Sequence, residues 1–125
     1  MSTILGAFNS HLIDFLEDVE RIFPQDQDIK TAKTAIVLLK KANPRAIIVI
    51  WKQHITNIYK NEIFSGDLSY FVNKDYQRDI TGNSDNKILE AIDRLRVPIQ
   101  NMGTENKKKA MKYIQNLTKI SELYT

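Results

Sequence analysis

The sequence predicts an all-α fold, a compact bundle of five to six helices around a buried central helix at about residues 44–63. Three observations carry that expectation. The apolar run Ala46-Ile47-Ile48-Val49-Ile50-Trp51 covers every side of a helix's first half, so neighbours must enclose it. Apolar residues elsewhere recur mostly at helical rather than alternating spacing. The periodic stretches end at stop or cap residues, as at Pro24, Gly66 and Gly103.

The first helix is expected from about Ser2 to Phe23, with Leu5, Phe8, Leu12, Phe15, Leu16, Val19, Ile22 and Phe23 on one face and Asp14, Glu17, Asp18 and Arg21 on the other. Pro24 stops it, because the residue before a proline is driven out of the helical region. The turn Gln25-Asp26-Gln27-Asp28 supplies an N-cap for a second helix that runs to Ala42. Ile29, Ala32, Ile36 and Leu39 form its inward stripe, while Lys30, Lys33, Lys40 and Lys41 turn outward with stems that can cover apolar edges. Asn43 is placed to accept from the free amides of the third helix, and Pro44 suits the first helical position, where its missing N–H loses nothing. Two short connections make these helices an antiparallel three-helix hairpin.

Ile47 to Trp51 taken alone resembles a strand, but the helix start before it and the helical spacing after it decide for helix. Ser65-Gly66-Asp67 ends the central helix and caps a short helical piece containing Leu68, Tyr70, Phe71 and Val72, expected to act as a lid on the core. Thr81-Gly82-Asn83-Ser84-Asp85 has the most loop-like composition and the highest expected mobility. Ser84 or Asp85 then caps a helix with Ile88, Ile92, Leu95, Ile99 and Met102 on one stripe. Pro98 predicts a kink near Arg94 or a break into two pieces. Gly103 ends it and Thr104 caps a last helix with Ala110, Tyr113, Ile114, Leu117, Ser121 and Tyr124 inward.

A chain of 125 residues with 42% hydrophobic and 26% charged residues fits one globular domain, residues 1–125, with enough core to fold alone. There is no cysteine, which excludes disulfides and thiol catalysis, and two histidines make a zinc site improbable. No signal-peptide pattern opens the chain and no apolar run is long enough to cross a bilayer, so an intracellular location is expected. Net charge is +3, but it is distributed in blocks. Acids outnumber bases by five from Met1 to Asp28, and the stretch from Ile29 to Asn61 holds seven bases and no acid. If the first two helices pack together, those opposite flanks face each other.

His11 and His54 are the side chains with ordinary pKa values near neutrality, so acid–base chemistry would have to begin with them. His11 lies one turn before Asp14, and His54 follows the buried half of the central helix on a largely apolar face. Both fit core-edge histidines better than catalytic ones. Nucleophile elbows, phosphate-binding glycine loops and paired-histidine metal motifs are absent, and Asp75 and Asp79 lack the spacing of a calcium loop. The expected chemistry is therefore non-enzymatic, with no cofactor, no metal and no small-molecule substrate.

Two surface readings remain. Lys40, Lys41 and Arg45 gather around the start of the central helix, with Lys33 one heptad before Lys40 and Lys52 one heptad after Arg45. That pattern suits a ridge contacting nucleic-acid phosphates without base readout, to which Lys107 and Lys108 add a second cluster. Its alternative is a solvated polar face partly neutralised by the acidic first helix. A helix-turn-helix reader is disfavoured because the helix after the turn opens apolar. The second reading comes from the tyrosines Tyr59, Tyr70, Tyr76 and Tyr124, which suit an interface with a second copy or a larger assembly. Their alternative is to close the ends of the core with hydroxyls in water.

The segments Ile22-Phe23-Pro24, Lys41-Ala42-Asn43-Pro44, Gly66-Asp67, Asn73-Lys74-Asp75-Tyr76 and Lys112-Tyr113-Ile114-Gln115-Asn116-Leu117 resemble small uncharacterised proteins of nucleocytoplasmic large DNA viruses of algae and other protists. These are turn and core signatures spread over nearly the whole chain, and they carry no functional residues across. The resemblance implies a virion or virus-factory component located in host cytoplasm or virion. The sequence thus leads to a helical interaction or structural protein that self-associates and docks in a larger assembly, with sequence-nonspecific nucleic-acid binding as the alternative.

Overall fold

A computed structural model describes residues 3–67, 69 and 86–124. Among these the fold is all-α, with no strand. In chain order the helices are α1 (Thr3–Ile22), α2 (Gln27–Ala42), α3 (Pro44–Trp51), a π-helical turn (Lys52–Thr56), α4 (Asn57–Phe64), α5 (Asn86–Asp93), α6 (Arg96–Gln100) and α7 (Thr104–Leu123). The expected lid around Leu68 to Val72, the loop Thr81 to Asp85, the two loop aspartates, Tyr70 and Tyr76 lie outside the described residues.

Helix α3 is the enclosed element. Ile47, Ile48, Ile50 and Trp51 are buried, and α3 touches α1, α2, α5 and α7. Phe8 meets Trp51 edge to face at 5.8 Å between ring centres, the arrangement that sets one ring's positive edge against the other's negative face. Phe8, Leu12, Phe15, Leu16 and Val19 of α1, Ile29, Ala32 and Ile36 of α2, and Ala110, Ile114 and Leu117 of α7 complete the surrounding wall.

Local chemistry accounts for the ends. The Asp26 carboxylate accepts from the amides of Asp28 at 2.9 Å and Ile29 at 3.2 Å, as an N-cap should. Asn43 does not cap α3 with its side chain. One residue serves two helices there: its amide donates to Leu39 at 2.7 Å, closing α2, while its carbonyl accepts from Ala46 at 3.2 Å, opening α3. Pro44 takes the first helical position as expected. Helix α4 ends in a Schellman motif, with Asp67 N–H donating to Glu62 at 2.9 Å, Gly66 N–H donating to Ile63 at 3.1 Å, and Gly66 in the left-handed region at φ +89°.

Pro98 breaks its helix in two, the second of the outcomes its position allows. Its ring cannot coexist with a helical carbonyl at Arg94, and the chain turns at Arg94-Leu95 between α5 and α6. The N-cap of α7 is Gly103 rather than Thr104, which is already the first helical residue.

The central rod departs from a regular helix at Lys52–Thr56. In an unbroken α-helix Ile63 would point about 120° away from Trp51, toward solvent. The wide turn inserts one residue and reduces that angle to about 20°, so Trp51, Ile55, Thr56, Tyr59 and Ile63 share one side. Ile55, Thr56 and Ile63 are buried, and Tyr59 packs against the core.

Candidate functional site

The basic residues at the α2–α3 corner do not all face outward. Lys33 is half-buried, and its ammonium lies 3.1 Å from Glu20 and 3.8 Å from Glu17 on α1, so the acidic flank of α1 meets the basic flank of α2. Arg45 donates to the Tyr124 hydroxyl at 2.8 Å, and Lys52 donates to the Tyr124 carbonyl at 2.7 Å, where it secures the end of α7. Lys108 lies 3.8 Å from Glu105. Lys40, Lys41 and Lys107 are exposed, with no ion pair among the described residues. Lys33 is therefore drawn away from the expected ridge: the heptad spacing that aligned it with Lys40 also directed it toward α1.

Tyr59 and Tyr124 are half-buried and pack against the core, and Tyr124 spends its polar atoms on Arg45 and Lys52. His54 is half-buried in the π turn. Among the described residues no group of three His, Asp or Glu side chains could hold a metal ion, and no helix is long and apolar enough to cross a membrane.

A different surface stands out on α2. Leu38 is 61% exposed in mid-helix. Beside it lies a hollow of about 570 Å³ walled by Thr31, Thr34, Ala35, Leu39 and Ala42, with Lys30 and Lys87 at its edges. Thr31, Leu38 and the short residues between them follow heptad spacing, the pattern that presents a knob beside a hole along one helix side.

The second built feature lies between α1 and α7. Tyr113 crosses His11 and Phe15, one turn apart on α1, with ring centres 4.8 Å and 5.1 Å away. Its hydroxyl donates to the Asp18 carboxylate, which also pairs with Arg21. His11 Nε2 is buried without a hydrogen-bond partner among the described residues. Burial pushes the His11 imidazole below its ordinary value, and the nearby Asp14 carboxylate offsets part of that. On the outer side a hollow of about 380 Å³ is lined by His11, Asp18, Lys109, Lys112, Tyr113 and Asn116.

No family model, curated protein or solved structure matches this chain.

Leu38 and the α1–α7 cluster were not singled out by sequence. Both left a signal. Leu38 follows Val37 and precedes Leu39, three apolar residues where the inward stripe needs one, so one has to face away. His11 and Asp18 are one heptad apart, and Lys109 and Lys112 one turn apart, which places each pair on one helix side.

Proposed function

We propose that the chain is a non-enzymatic helical interaction protein that pairs with a second copy of itself through the outer side of α2. The observation that carries this is Leu38, a large apolar side chain left 61% exposed beside a hollow walled by Thr31, Thr34, Ala35, Leu39 and Ala42. Each copy offers both a protruding leucine and a space for one, so a two-fold axis near Leu38 satisfies both at once. Burying a leucine is worth roughly 1.5–3 kcal/mol, enough to motivate pairing but only as the centre of a wider contact. The sequence resemblance to viral proteins adds a virion or virus factory as the setting.

Sedimentation equilibrium over a concentration series tests this. The wild type is expected to shift from monomer to dimer, and Leu38→Asp to remain monomeric with an unchanged circular dichroism spectrum. A wild type that stays monomeric at every concentration would refute it. Nucleic-acid binding is the weaker reading, because Lys33, Arg45 and Lys52 already have partners within the chain. It predicts duplex binding that weakens steeply with salt and fails in Lys40→Ala/Lys41→Ala.

A further inference from the structure

We propose that the groove between α1 and α7 is a binding site for a small amphiphilic carboxylate, its head held by Lys109, Lys112 and Asn116 and its tail lodged beside Tyr113. The outer hollow of about 380 Å³ supplies the head site. Lys109 and Lys112 lie one turn apart on α7, both are exposed, and neither has an ion pair among the described residues. Asp18, the carboxylate lining the same hollow, is occupied by Arg21 and the Tyr113 hydroxyl, so it does not neutralise them.

A second hollow of about 200 Å³ adjoins the first and shares Asp18, Lys109 and Tyr113 with it. Its remaining walls are mostly apolar, from Phe15, Val19 and Ile22 of α1 and Met102 and Ala110 across from them. Lys109 thus runs its alkyl stem along an apolar slot while its ammonium can reach the cationic mouth. Tyr113 forms the partition, held by ring contacts with His11 and Phe15 and by Asp18 at its hydroxyl, so the shape exists before a ligand arrives. Met102 has the soft, unbranched side chain that adapts to an alkyl tail. An apolar slot joined to a few convergent polar groups is the usual form of a small-molecule site. This groove lies on other helices than the α2 surface, so either can fail without the other.

The test is titration of the isotopically labelled full chain with sodium octanoate, octanol and inorganic phosphate, followed by amide chemical shifts. Octanoate is expected to shift residues 15–22 and 109–116 saturably and to bind about tenfold or more tighter than octanol, because two ammonium groups meet only the charged head. Lys109→Gln/Lys112→Gln, changed at exposed positions that leave the core intact, is expected to weaken octanoate about tenfold or more. Met102→Trp, which fills the slot, should abolish tail-dependent binding. Equal affinity for octanol, displacement by phosphate at the same concentration as by octanoate itself, shifts centred elsewhere, or an undiminished affinity in the double lysine variant would each overturn the proposal.

Discussion

Asn9 is 2% exposed against the start of α3, where its Nδ2 donates to the Pro44 carbonyl at 3.0 Å while its Oδ1 has no hydrogen-bond partner among the described residues. Asn9→Asp replaces that donor with a buried, unpaired carboxylate facing a carbonyl. Stability at neutral pH is expected to fall by about 3 kcal/mol in urea unfolding, and part of the loss should return in acid as the carboxyl protonates. His11 has the opposite dependence on acid. Its native value is lowered from the ordinary 6.5, so as pH falls the unfolded chain takes up the proton first. The stability it supports is complete above 6.5 and is lost as pH falls through that value toward the native one. Asp14 on its own helix, and Asp18, Tyr113, Lys109 and Lys112 around the groove, are the charged and titratable groups about it. Comparing urea midpoints of wild type and His11→Gln between pH 7.5 and 5.5 checks this, with the smaller acid loss expected in the variant. Neither residue's role is visible along the chain, since Asn9 matters through Pro44 and His11 through Tyr113, partners distant in sequence.

At the scale of elements, the π turn is the feature that positions one half of the central rod against the other. Gln53 is exposed within it, and its deletion converts the wide turn to a regular α-helical one while Trp51, Tyr59 and Ile63 keep a common side. The deletion variant is expected to fold and to lose no more than about 2 kcal/mol. Deleting Thr34, also exposed but in the regular helix α2, rotates everything after it by about 100° and turns Ile36 out of the core. That chain is expected to be unfolded or molten by near-ultraviolet circular dichroism and chemical-shift dispersion. Here the sequence contains the signal: Ile47, Trp51, Ile55, Tyr59 and Ile63 recur every fourth residue, a longer period than a straight α-helix can keep on one side. The break at Pro98 and the cap at Asp26 are equally legible, because each follows from the chemistry of a single residue. The side-chain role expected of Asn43 was not, because two helices compete for the same residue.

At the scale of the fold, the core among the described residues is one cluster reaching from Phe8 to Leu117, and Ile48 lies at 0% exposure within it. Ile48→Ala is expected to cost about 3–4 kcal/mol, a large share of the roughly 5–15 kcal/mol available to a small domain, and to lower the urea midpoint accordingly. A chain of buried hydrogen bonds runs through that core: Trp51 Nε1 donates to Thr118 Oγ1 at 3.4 Å, Thr118 Oγ1 donates to the Ile114 carbonyl at 2.8 Å, and Ser121 Oγ donates to the Thr118 carbonyl at 2.7 Å. With its proton so used, Ser121 accepts from Thr56 at 2.6 Å. This ladder joins the central rod to α7 and fixes their register. By itself the sequence determined the helical class, the enclosed apolar rod, most inward stripes and most stops, because periodicity, caps and proline act within a few residues. Tertiary packing decided which charges remain available outside, which apolar residue stays uncovered, and where two helices leave a groove. Those outcomes depend on which faces meet, and Lys33 against Glu20, Tyr113 against Asp18 and Leu38 facing away are set only when distant segments come together.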